Sequence, residues 1–135
     1  NYIRRSNKGS NNVRKMITNE DIATPLKGHV WYTKGLVNNC SHFLNLLESW
    51  LGKVIGIENI KIERNLSKVD YDADFRLNFE KGNILFQSAK EESQTFNSIE
   101  LIASNNSSYL LFYSFITRVC RFRFRRNSID IWTIC

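Results

Sequence analysis

The hydrophobic period changes from helical to two-residue in the short gap between Gly52 and Gly56, and that change most restricts what this chain can fold into. Before the gap, Leu36, Cys40, Phe43, Leu44, Leu47, Trp50 and Leu51 fall on one stripe at about 100° per residue. After it, Ala73, Phe75, Leu77 and Phe79 alternate with Asp74, Arg76 and Asn78. Helices followed by a run of strands predict an α+β fold, a mostly antiparallel β-sheet with helices packed on one face.

The elements follow from local signals. Ser10 or Asn11 is expected to cap a helix to Thr18 with Val13, Met16 and Ile17 inside. A strand is expected over Leu26 to Tyr32, and the long helix from Gly35 to Leu51, stopped by Gly52. Further strands are expected around 60–66, 71–79, 83–89 and 99–103, then 109–115, 119–125 and 129–134. Glu80-Lys81-Gly82-Asn83 reads as a hairpin turn with Gly82 at positive φ. The alternating Phe, Leu and Ile of the sheet exceed what two helices cover, which predicts a homodimer or tetramer formed sheet against sheet.

Composition narrows the class. The 135 residues suit one domain, and the 42% hydrophobic content suits an ordinary core. No apolar run nears the roughly 18 residues of a membrane span. The opening Asn1-Tyr2-Ile3-Arg4-Arg5 has neither Met nor an apolar signal core, so it reads as the interior of a longer protein and gives no sign of secretion. Three cysteines, Cys40, Cys120 and Cys135, fit neither a disulfide framework nor a zinc site, which points to reduced thiols in the cytoplasm. No metal site is expected, and Asp72 and Asp74 read as solvated carboxylates. A net charge of +6 permits nucleic-acid binding without requiring it. The best local case for such binding is Arg121, Arg123 and Arg125, alternating with Phe122 and Phe124; a charge-protected edge strand explains the same pattern.

The polar side of the long helix is unusual. Asn38, His42, Asn45 and Ser49 stand where a surface helix would carry Lys and Glu. Amides both donate and accept hydrogen bonds, and an imidazole titrates near neutrality, so this face suits polyhydroxylated ligands and proton transfer. A helix histidine bonded to backbone and surface amides is the plainer reading. Lys34 stands where it could meet a phosphate or carboxylate at the helix N-terminus. Tyr32 either stacks on a ring or packs on the sheet, and Arg4 and Arg5 either support a pocket or form a structural ion pair.

The order Asn-Tyr-x-Arg-Arg, helix, strand, then Lys34-Gly35-x-x-x-Asn39-x-Ser41-His42-x-x-Asn45-Leu46-Leu47 and Leu51-Gly52 resembles the C-terminal domain of Gfo/Idh/MocA oxidoreductases. Asp72-Ala73-Asp74-Phe75, Lys81-Gly82-Asn83 and Ser98-Ile99-Glu100-Leu101 extend the resemblance to about residue 104. It implies residues 1–135 as a partial substrate-binding and oligomerisation domain, with the dinucleotide-binding domain outside this chain. It further implies hydride transfer between a sugar or nucleotide-sugar and NAD or NADP in the full-length enzyme. The fragment itself, which has no glycine-rich phosphate loop, is expected to bind no cofactor. His42 matches the family's catalytic histidine, and Asn38, Asn45, Lys34, Tyr32 and Arg5 are the candidate substrate-binding residues. Where the family carries an acid four residues before the histidine and another three after it, this chain has Asn38 and Asn45, which cannot take a proton. The alternatives are a sheet-based nucleic-acid-binding module and a dimerisation domain whose site has decayed.

Overall fold

A computed structural model describes residues 8–90, 93, 95–104, 108–113, 116–125 and 128–134, and for Asn59 and residues 108–134 the backbone alone. Helix α1 (Lys8–Thr18) leads to strand β1 (Leu26–Tyr32). A π-helical turn (Leu36–Cys40) then runs directly into α2 (Ser41–Leu51). Strands β2 (Val54–Asn65), β3 (Tyr71–Phe79), β4 (Gly82–Ser88) and β5 (Ser98–Ile102) follow, then β6 (Ser108–Tyr113), β7 (Ile116–Arg125) and β8 (Ser128–Ile134). All eight strands form one sheet in the order β2-β3-β4-β1-β5-β6-β7-β8. Among the described strands only β1 and β4 run parallel, so the fold is the expected α+β arrangement with a mostly antiparallel sheet.

The alternation in β3 buries Ala73, Phe75, Leu77 and Phe79, and β4 adds Ile84 and Phe86. Phe75 and Phe86 are cross-strand partners whose rings stack 4.8 Å apart. Onto this face α2 lays Phe43, Leu46, Leu47, Trp50 and Leu51, all buried. Spacings of three and four residues make that the true core stripe. Leu36 and Leu44, expected on it, are only half-buried, and Leu46 replaces them, because the stripe is centred one position further round the helix. Trp50 ties α2 to α1, its indole N–H donating to the Ser10 carbonyl at 3.1 Å and hydroxyl at 3.2 Å. Ser10 is therefore a buried acceptor inside α1, which starts at Lys8, and the expected cap at Ser10 or Asn11 is displaced.

Gly52 ends α2 at φ +82° as expected. Gly82 does not serve as a turn glycine. It lies in β4 opposite both Phe79 and Leu26, where a Cβ would stand 2.6 Å from the Leu26 carbonyl oxygen. Close approach between strands requires that glycine, and positive φ plays no part.

The apolar side chains invoked for sheet-against-sheet assembly turn out to face the helices. Phe75, Leu77, Phe79, Phe86, Ile99 and Leu101 are all buried there. Between them, the alternate positions carry Asp74, Arg76 and Asn78 on β3, Asn83 and Gln87 on β4, and His29 and Trp31 on β1. Asp72 and Asp74 are not solvated carboxylates either. Asp72 is fully buried and takes two bonds from Arg64, at 2.8 and 3.1 Å, while Asp74 accepts the Ser88 N–H at 3.0 Å. Arg4, Arg5 and Cys135 lie outside the described residues, as do the side chains of Cys120, Arg121, Arg123 and Arg125.

Tyr32 is a core residue. Its hydroxyl donates to the Ala73 carbonyl at 2.6 Å and accepts the Ala73 N–H at 2.8 Å, with no exposed surface left for a ligand. Tyr32→Phe is expected to cost about 1–3 kcal/mol by leaving both buried backbone groups unpaired. Urea denaturation at unchanged m-value checks this, and an unchanged midpoint would refute it. Burial pushes the Tyr32 hydroxyl well above the usual tyrosine range. With the folded-state pKa raised, its contribution is intact below about pH 10 and is lost as pH climbs further. The Phe variant should lack that share of the alkaline loss.

Candidate functional site

The helix that carries the candidate residues begins with an anomaly. Lys34 sits at φ +62° and Gly35 at φ +89°, two successive residues in conformations that only glycine adopts freely. The chain then enters a π turn, in which the Asn39 and Cys40 N–H groups both reach the Gly35 carbonyl at 3.2 Å. The N-cap residue, Gly35, has no side chain with which to cap the turn. The first-turn N–H groups of a helix nevertheless need acceptors. Asp70 supplies them from just before β3, its carboxylate accepting Val37 N–H at 2.8 Å and Asn38 N–H at 3.1 Å. Its negative charge also suits the positive end of the helix dipole.

Asp70 is held in place by its own loop. The Leu66 and Ser67 N–H groups both donate to its carbonyl at 3.0 Å, and the Ser67 hydroxyl accepts its N–H at 3.0 Å. A second clasp holds the end of β1. Buried Thr33 donates its N–H to Asn97 Oδ1 at 3.2 Å, accepts Phe96 N–H on Oγ1 at 3.2 Å, and receives Asn39 Nδ2 on its carbonyl at 2.9 Å.

On this support Asn38, His42 and Asn45 follow one another along a single side of the helix. Asn38 is exposed, and His42 and Asn45 are half-buried. Asn45 Oδ1 is shielded from solvent and accepts no hydrogen bond among the described residues. A buried unpaired acceptor costs about 1–3 kcal/mol, which a donor supplied from outside these residues would recover. Ser49, on the same side, is removed from the site because its hydroxyl donates to the Leu46 carbonyl at 2.6 Å. The seat foreseen for an anion beside Lys34 is filled by the protein's own Asp70. Tyr32 belongs to the core, and Arg5 lies outside the described residues.

Cys40, fully buried with its thiol pushed up by desolvation, is no nucleophile. Among the described residues no three His, Cys, Asp or Glu side chains are grouped so as to hold a metal ion, and no helix is long and apolar enough to cross a membrane.

Sequence reasoning missed Asp70, Thr33, Asn39 and Asn97. For Asp70 one signal existed: a helix opening on Gly35-Leu36-Val37 has no capping residue and must borrow one.

No family model and no curated protein matches the chain. Solved structures do. An oxidoreductase domain protein from Kribbella flavida superposes with TM-score 0.74 at 14% identity, covering 98% of this chain and 46% of the other. An NAD-binding oxidoreductase from Klebsiella pneumoniae gives TM-score 0.75 at 14% identity, over 99% and 46% of the two chains. Levoglucosan dehydrogenase, solved with NADH and L-sorbose, gives 0.66 at 10% identity, over 90% and 42%. The chain thus has the fold of one part of these oxidoreductases, the α+β fold that the Gfo/Idh/MocA resemblance implied, and spans less than half the length of each.

Proposed function

We propose that this chain is the C-terminal substrate-binding and dimerisation domain of a cytoplasmic NAD(P)-dependent oxidoreductase of the Gfo/Idh/MocA type, acting on a sugar or nucleotide-sugar. The observation that carries this reading is the buried Oδ1 of Asn45, without a hydrogen-bond partner among the described residues, beside half-buried His42, on a helix braced by Asp70, in a fold shared with such enzymes. This chain's own residues suit a polyhydroxylated substrate and offer no phosphate-cradling loop, so the nicotinamide belongs to another part of the full protein. Bound there, the nicotinamide would supply the hydride acceptor or donor. His42 takes the hydroxyl proton as the carbon is oxidised, or gives it back in reduction. Asn38 and Asn45 fix the neighbouring hydroxyls, each amide offering a donor and an acceptor. They cannot relay a proton, so the acid–base work of this helix rests on the imidazole.

The experiment uses the full-length protein with NAD or NADP and a panel of polyols, following formation of the reduced nicotinamide. Asn45→Ala is expected to raise KM about 5–10-fold, the loss of one hydrogen bond, with a smaller change in kcat. An unchanged KM with every substrate turned over removes Asn45 from the site. The same preparation is expected to be a dimer by light scattering. The apolar contribution of the sheet side away from the helices comes from Trp31, Leu85 and Ile102, the last at 44% exposure, interspersed with Lys27, His29, Gln87 and Glu100. A monomeric mass at micromolar concentration would exclude that assembly.

A further inference from the structure

We infer that the outer margin of β2 is a self-pairing edge: two copies of this chain join antiparallel along Ile57–Ile62, about a two-fold axis between Asn59 and Ile60. This contact is separate from the sheet-face assembly proposed above and does not depend on the chain's activity. β2 ends the strand order and, among the described residues, is hydrogen-bonded to β3 alone. Edge strands are ordinarily short, or carry Pro or charge that discourages further pairing. This one runs 12 residues without Pro, and its Ile55, Ile57, Ile60 and Ile62 are 55–68% exposed.

The occupant is read from the register. Ile57 pairs with Leu77 and Ile62 with Ala73, both on the helix side of β3. Glu58 pairs with Arg76 and Lys61 with Asp74, on the other side. Between these pairs Asn59 and Ile60 together stand opposite the single residue Phe75, a bulge. In an unbroken strand Glu58 and Lys61 would point to opposite faces, and so would Ile57 and Ile62. The bulge returns each pair to one face. A two-fold axis perpendicular to a sheet preserves faces, so residues that meet across it must share one. About the axis between Asn59 and Ile60, Ile57 meets Ile62 of the second copy and Glu58 meets its Lys61, each twice. Val54 and Asn65, paired with Phe79 and Tyr71 on the helix side, extend the match.

Apolar thus faces apolar and negative faces positive, the pairings that stabilise antiparallel neighbours. Within one copy Glu58 accepts Asn78 Nδ2 at 2.6 Å and Lys61 Nζ lies 2.6 Å from Glu63. A carboxylate has two oxygens and an ammonium three donors, so both groups can serve a second partner. A foreign strand would need this pattern reversed, whereas β2 carries its own complement. So short a contact lies at the small end of interface sizes, and it forms at high concentration.

The full-length protein tests this with single cysteines. Glu58→Cys and Lys61→Cys proteins, mixed under mild oxidation at about 0.5 mM, are expected to form a disulfide joining position 58 to position 61. Peptide mass spectrometry should find it about tenfold above the 58–58 and 61–61 links that either protein forms alone. By light scattering, the wild-type mass should rise towards twice its micromolar value over the same range. Lys61→Glu, at a side chain 75% exposed, should abolish that rise with the fold intact by circular dichroism, and Glu58→Lys combined with Lys61→Glu should restore it. Prevailing 58–58 or 61–61 links, a mass constant up to about 0.5 mM, or a rise undiminished in Lys61→Glu each overturn the inference. A cysteine at position 61 that resists alkylation at micromolar concentration would show another part of the full-length protein covering the edge, and overturns it equally.

Discussion

His42→Ala in the full-length enzyme is expected to lower kcat by about 10²–10⁴-fold with KM nearly unchanged, the range that a positioned general acid–base contributes. The size follows from what else this helix presents. Asn38 and Asn45 offer only amides, so neither can take over the proton when the imidazole is removed. The wild-type pH profile of kcat should carry a limb in the range where imidazoles titrate, and the variant should lose it. Because the side chain is half-buried and outside the core stripe, the stability cost should stay near 1 kcal/mol. Urea denaturation can therefore separate lost chemistry from lost folding. Turnover within twofold of wild type would mean a decayed site in a domain kept for assembly.

Gly35→Ala should give the largest loss of stability among small substitutions at the site. Gly35 adopts φ +89° and ψ 158°, a region in which a side chain costs about 1–3 kcal/mol. The added Cβ also overlaps the Asp70 carboxylate. Shifting that carboxylate releases the Val37 and Asn38 N–H groups, a lost cap of about 0.5–2 kcal/mol. Together these amount to about 1.5–5 kcal/mol, with a fall in Tm on the order of 10 °C. Gly56→Ala is the natural control, since its Cβ would meet nothing closer than Asn78 Nδ2 at 3.4 Å. Equal denaturation midpoints for the two variants would show that the backbone around Gly35 is not restrictive.

Much of the architecture was legible because it is written in local period. β3 falls where alternation from Ala73 to Phe79 puts it, β1 spans Leu26–Tyr32 as expected, and α2 stops at Gly52. What failed depends on pairing between distant segments. Gly82 looked like a turn residue because its neighbours in sequence are turn-formers. Its actual constraint comes from Leu26, on a strand more than fifty residues earlier. Asp72 looked solvated until Arg64 on the adjacent strand closed over it. The sheet's apolar residues were recognised, but alternation alone does not say which side the helices will cover.

The site shows the same division. Its helix could be read from spacing, and Asn38, His42 and Asn45 do share a side of it. Asp70 could not be read this way, because nothing in the Ser67-Lys68-Val69-Asp70 turn announces that it reaches a helix start 33 residues away.

That long reach links the order in which the molecule assembles to the place where its chemistry is proposed. A helix capped by its own preceding residue can form its first turn early; this one must wait until the segment before β3 has docked. The amide protons of Val37 and Asn38 consequently share the fate of the neighbouring sheet margin instead of fraying as an ordinary helix end would. Damage to that margin, far along the chain from His42, would slacken the start of its helix before disturbing the turns that pack beneath Trp50.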